Sequence, residues 1–140
     1  LARETREASS KTGRAMLKAL LDIFQLEQLA DLANSIAEKK CEGHQSVVFG
    51  AGAAMLKVSE HEAVLAFLQS SFANLVGVGS RIIPLGQVES QRIILNAGSL
   101  LLTATSLAQK TKANDFGSST IGLDIASMNH ERLYSRLCMS

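Results

Sequence analysis

Ser59-Glu-His-Glu-Ala-Val-Leu-Ala-Phe-Leu-Gln-Ser-Ser-Phe-Ala-Asn-Leu-Val-Gly-Val-Gly-Ser-Arg-Ile-Ile-Pro84 decides the fold. It opens on a capping box, with Ser59 at the N-cap and Glu62 three residues later, so two orphan backbone donors are satisfied reciprocally. Val64, Leu65, Leu68, Phe72, Leu75, Val76, Ile82 and Ile83 then recur at helical spacing. The pattern ends at Pro84, which removes a donor and disfavours helical backbone at the residue before it. A helix this long, with apolar residues along it, predicts a helical neighbourhood.

The flanking sequence agrees. Upstream, Leu1 to about Phe24 reads as a helix whose first half is wetted by Arg3, Glu4, Arg6, Glu7 and Lys11. Its second half carries the stripe Ala15, Met16, Ala19, Leu20 and Ile23. Leu26, Leu29, Ala30, Ala33 and Ala37 repeat the pattern and stop near Lys39-Lys40, before Gly43. Val47 to Leu56 is ten residues without a polar side chain, too short for a bilayer span of about 20 residues. It reads as a buried helix whose Gly50, Gly52 and alanines let a neighbour approach closely. A phosphate-loop reading of Gly50-Ala-Gly52 fails because no Lys-Ser/Thr follows and no strand clearly precedes. Downstream, Gly86 to about Lys110 is apolar all round after its first turn and reads as one central helix, or one shared with a second subunit. The expectation is an all-α, multi-helix bundle of five to six helices forming a single domain over residues 1–140. Residues 111–123 read as a flexible lead to a last helix over 124–137, with Asp124 placed to cap it.

That last helix holds the densest set of unlike polar groups in the chain. Ala126, His130, Leu133, Tyr134 and Leu137 share one face, while Asn129, Arg132 and Arg136 line another. Two readings stand: a docking helix on a loose lead, or a final helix closing its own core.

Bulk properties narrow the chemistry. The chain has 140 residues, 46% hydrophobic and 19% charged, which is a globular composition. A net charge of +1, no Trp and one Tyr give no electrostatic or stacking case for nucleic acid or for an anionic membrane surface. Cys41 and Cys138 are too few and too far apart for a disulfide scaffold or zinc ribbon, and read as free thiols in a reducing, cytoplasmic compartment. His44, His61 and His130 form no ligand pair in sequence. Cys41 and His44, three apart in a Gly-containing turn, could hold a soft metal but make an incomplete site. No nucleophile–base pair can be named, so no catalytic residue, resident metal or cofactor is assigned. Gln87, Gln91 and Arg92 form a second polar cluster, read either as an exposed first turn or as the lining of an interface or polar passage.

Three ordered stretches carry a resemblance. They are Gly43-His-Gln-Ser-Val-Val-Phe-Gly50, Ile82-Ile-Pro-Leu-Gly-Gln-Val-Glu-Ser-Gln-Arg-Ile93, and Leu123-Asp-Ile-Ala-Ser-Met-Asn-His-Glu-Arg-Leu-Tyr-Ser-Arg-Leu137. With the opening through Gly13-Arg14 they resemble the urease accessory F proteins, UreF, along nearly the whole chain. Members of that family carry a further N-terminal portion, and Leu1-Ala-Arg-Glu4 reads as mid-helix, so the chain resembles the C-terminal two-thirds of a member. The resemblance implies a dimeric, non-catalytic scaffold that joins accessory proteins D (or H) and G, the latter a GTPase, to deliver nickel to apo-urease. By position it carries a D/H-docking role onto Asp124, Ser127, His130, Glu131, Tyr134 and Arg136. It likewise places Pro84, Gly86, Gln87, Gln91 and Arg92 on a dimer- or GTPase-facing surface. The chain departs from the family in ending Arg136-Leu-Cys-Met-Ser140, without a frequent aromatic and cation. The alternative is a carrier that itself chelates nickel through Cys41, His44 or His130.

Overall fold

The computed structural model describes residues 2–117 and 120–134. It contains seven α-helices among the described residues and no strand: α1 (Arg3–Phe24), α2 (Ala30–Ala37), α3 (Gln45–Met55), α4 (Glu60–Ile82), α5 (Gln87–Asn96), α6 (Gly98–Lys110) and α7 (Ile121–His130). Short 3-10 turns at Glu27–Leu29 and Ala113–Asp115 complete the order. The all-α class holds, but the expected five to six helices are corrected to seven. The segment 86–110 is not one helix. Asn96 and Gly98, both poor helix residues, bracket Ala97, whose N–H bonds to Ile93 O at 3.1 Å while its own carbonyl accepts from Leu101 at 2.9 Å. One residue of broken pattern divides α5 from α6.

The helices fall into two compact units. One comprises the described parts of Leu1–Lys57 and Gly117–Ser140, the other Val58–Phe116. In the first, α1 lies along α3. The buried side of α1 is Ser10, Gly13, Leu17 and Leu20; of the expected stripe Ala15, Met16, Ala19, Leu20 and Ile23, Leu20 is buried and Met16 and Ala19 are half-buried, while Ala15 and Ile23 are exposed, so the buried line is rotated slightly toward Leu17. Gly13 accounts for the rotation. A Cβ there would stand 2.1 Å from Gly43 O and 2.8 Å from Gln45 N, so only glycine lets α1 touch the turn into α3. Across the same contact Gly52 lies against Leu20, as the small-residue run predicts. Leu17, Leu20, Leu29 and Val48 form the core, flanked by Met16, Leu26, Leu32, Ile36 and Ala51. Ser9 Oγ accepts the Gln45 N–H at 3.2 Å, so α1 caps the first turn of α3 from outside.

In the second unit α4 packs on α5 and α6. Its capping box is present: Glu62 N–H donates to Ser59 Oγ at 3.3 Å, and Ser59 N–H to Glu62 Oε2 at 3.3 Å. The Ser59 hydroxyl, donating to Glu62 Oε2 at 2.6 Å, and then the Ser59 N–H, with a smaller contribution from neighbouring His61, hold the Glu62 carboxyl below the ordinary carboxylate range. Val76, Ala97, Leu101 and Thr105 are buried. Thr105 donates to Leu101 O at 2.8 Å, which satisfies its hydroxyl without a neighbour. Leu75, Ile82, Leu95, Leu100 and Leu107 are all exposed. Of the segment after Gly86, Ala97, Leu101 and Thr105 face the inside of this unit while Leu95, Leu100 and Leu107 face solvent, so it is not apolar-buried all round. By length and composition α4 is apolar enough to cross a bilayer, a test that a core helix of a soluble protein also passes.

Candidate functional site

The residues that the terminal segment contributes are placed by α7 and by the first turns of α1. The helix begins at Ile121 with Thr120 at its N-cap and ends at His130. Asp124 thus lies in its first turn rather than capping it, which suits a carboxylate near the positive end of the helix dipole. Residues 131–134 continue in a tightened turn, with Arg132 N–H bonded to Asn129 O at 3.0 Å and Leu133 N–H to His130 O at 3.1 Å. The helix begins before the expected 124 and ends at His130 among the described residues, and the part of the expected 124–137 from Ser135 on lies outside them, Arg136 included.

Of α7, only Asp124, Ser127 and His130 are half-buried, with Glu131 next in line. The spacing 124, 127, 130/131 puts them on one face. That face meets α1. His130 Nδ1 lies 2.9 Å from Glu4 Oε2. Glu131 Oε1 accepts the Glu4 N–H at 3.1 Å, and its Oε2 stands 3.5 Å from Arg3. Ser127 Oγ and Thr5 Oγ1 are 3.1 Å apart. The fold thereby gathers Ser127, His130 and Glu131 into one polar seam with Arg3, Glu4 and Thr5. The α1 half of that seam has no signature in sequence, because its residues lie more than 120 positions away and look like an ordinary wet helix end. Tyr134 does not join the seam and is fully exposed.

The second cluster lies at the corner between α4 and α5. Gly86 is the N-cap of α5, in extended backbone. Gln87 and Gln91, one turn apart, face a cleft of about 480 Å³ together with Ser80 and Ser90 from the two helices. Arg92 points elsewhere and pairs with Glu89 at 3.4 Å. Pro84 is exposed in the turn. The cleft itself is lined by amides, hydroxyls and aliphatic groups, with no carboxylate, imidazole or thiol among the described residues.

The possible metal ligands are not collected. The His44 ring engages Ser10 Oγ through Nδ1 at 3.3 Å, and His61 engages Gln109 at 3.0 Å. Cys41 is exposed beside a cleft that also holds Arg14, Lys39 and Glu42, with the Glu42 carboxylate 3.7 Å from Arg14. Among the described residues no three of His, Cys, Asp and Glu converge. Ser10 and His44 are a pair invisible to sequence, 34 residues apart. Ser10 is buried and nothing among the described residues orients the other ring nitrogen of His44. The contact braces α1 against α3 and is not the arrangement of an activated nucleophile.

Comparison with known proteins adds the family. The UreF family model matches residues 1–98. The urease accessory protein UreF of a Bacillus species is 37% identical over 140 residues, covering 100% of this chain and 62% of that protein. UreF of a Picosynechococcus species is 39% identical, covering 99% and 61%. UreF of Paenarthrobacter aurescens is 35% identical, covering 100% and 63%. The chain thus spans about three-fifths of the length of the curated relatives it matches.

Proposed function

The chain belongs to the UreF family of urease accessory proteins, and on that footing we propose that it acts as a non-catalytic maturation scaffold. In this reading it bridges the accessory GTPase G and the D/H accessory protein while nickel, the cargo, passes to apo-urease. It works in the cytoplasm as a homodimer. The terminal segment, α7 with Tyr134 and Arg136, is the docking element for D/H, and Asp124, Ser127, His130 and Glu131 belong to that element. The corner formed by Pro84, Gly86, Gln87, Gln91 and Arg92 faces the dimer partner or the GTPase.

What supports the reading is the state of α7: a helix with no buried side chain, seated through a few polar contacts and followed by a fully exposed tyrosine. Its contacts to α1 are polar and only part-buried, so such a helix closes no apolar core. Tyrosine and arginine are favoured interface anchors. Capture of purified D/H protein on the immobilised chain tests it, comparing wild type with Tyr134→Ala/Arg136→Ala. Capture that the double change abolishes supports docking through the terminal segment, and equal capture by both refutes it.

A further inference from the structure

Helix α5 is the least anchored element of the second unit. None of its side chains is buried, whereas α4 buries Val76 and α6 buries Leu101 and Thr105. Both of its ends are interruptions of helical backbone. It is entered from Ile83 and Gly86, both extended. It is left at Ala97, where ψ is −9° against about −42° in a regular helix. In an unbroken helix Gly98 and Leu100 would donate to Ile94 and Asn96 across that residue; instead α5 ends at Asn96 and α6 starts at Gly98. A rotation of about 30° in one dihedral separates the two arrangements.

The second unit also has room for that rotation. His61 at the start of α4 meets Gln109 at the end of α6, 3.0 Å apart. The chain reverses at 84–86, so α5 and α6 run back along α4 as the second arm of a hairpin. At 1.5 Å per residue α4 and the span 87–110 are each about 35 Å long, so a straight second arm matches α4 end to end. As it stands, α5 is held off. Ala73, Gly77 and Ser80 of α4, spaced i, i+4, i+7, confront Ser90, Gln91 and Ile94 of α5 across the cleft of about 480 Å³. A Cβ built on Gly77 meets no other atom within 4 Å, whereas at Gly13 and Gly52 a neighbour already fills the space that glycine leaves.

We propose that α5 is a strap hinged at Ala97, which closes the cleft by joining α6 in one helix laid against Ala73, Gly77 and Ser80 of α4. Hinges are a few element-terminal positions that absorb backbone rotation. Closure restores the helical bonds lost at the break and withdraws the Gln91 amide and the Ser80 and Ser90 hydroxyls from water, where they must pair with one another. Asn96 and Gly98 keep the open form competitive, because both are poor helix residues at the point where the ladder rejoins. The strap is a property of the second unit alone and holds whichever partner meets the corner.

The test measures the distance between spin labels on Leu75→Cys and Val88→Cys, both exposed positions, in the full chain with Cys41→Ser and Cys138→Ser. Hydrogen exchange is followed at the amides of residues 98 and 100. Two distances are expected in this parent. Asn96→Ala/Gly98→Ala shifts the population toward the shorter one by about tenfold and slows exchange at both amides. Gly77→Leu fills the closing space and removes the shorter distance without lowering Tm. Each of these variants raises helix propensity, and circular dichroism checks that helicity is kept. A single distance that neither variant changes overturns the inference. So does slower exchange at 98 and 100 with the distance fixed or lengthened, which would join the helices without closing the cleft. A shorter distance that persists in Gly77→Leu overturns it as well.

Discussion

Gly13 carries more of the first unit than its size suggests, because the backbone of residues 43–45 occupies the space where its side chain would be. Gly13→Ala drives a methyl into a carbonyl oxygen and an amide, neither of which can rotate away. The helices must separate, at a cost of about 3 kcal/mol, read as a lower Tm in a thermal melt followed by circular dichroism. Val48, fully buried in the same core, loses about 2 kcal/mol on truncation to alanine. In the second unit the sensitive residue is Glu62. Its carboxyl is held below the ordinary range in the folded chain by Ser59. The stability it contributes is complete above the ordinary glutamate value of about 4.3 and disappears as pH falls through its folded value. Acidification past that point therefore frays the start of α4, and Ser59→Ala removes this pH dependence; helicity measured along a pH titration checks both.

Elements were legible where a local rule determined them. The capping box and Pro84 bracket α4 because both act within a turn of themselves. The stripe of α1 was legible in period and, at Met16, Ala19 and Leu20, nearly in phase; its shift toward Gly13 and Leu17 is set by what Gly13 touches 30 residues away. The α5–α6 break was missed because Ala97 is a good helix former, and two poor ones on either side of it decide the matter. Gly98 has open space around a built Cβ. Gly98→Ala should thus stabilise the second unit by about 0.5 kcal/mol, measured by urea denaturation. A fall in stability instead would show that the break requires glycine. For α7 the residues were readable and their partners were not: nothing near Ser127 or His130 in sequence announces Arg3, Glu4 and Thr5. In the seam the Arg3–Glu131 pair is exposed on its arginine side, so raising salt screens it in part. Protection of α7 should drop with ionic strength while that of α3, held by Leu17, Leu20 and Val48, does not.

At the scale of the molecule, the chain leaves aliphatic side chains on α4, α5 and α6 open to solvent, and a cleft between Leu65, Ala66, Leu101 and Leu102 runs along the second unit. Contiguous apolar surface of this kind marks an interface more often than a free face. A homodimer of the proposed kind would cover that surface, and concentration-dependent association in sedimentation is the behaviour it predicts. The scaffold reading requires that the chain hold two different proteins together. The most direct measurement is size-exclusion chromatography with light scattering on D/H protein and GTPase G, mixed with and without this chain. The account predicts one species containing all three components, absent when the chain is omitted and lost with Tyr134→Ala/Arg136→Ala. Co-elution of D/H and G without the chain, or a chain that elutes apart from both, would contradict it.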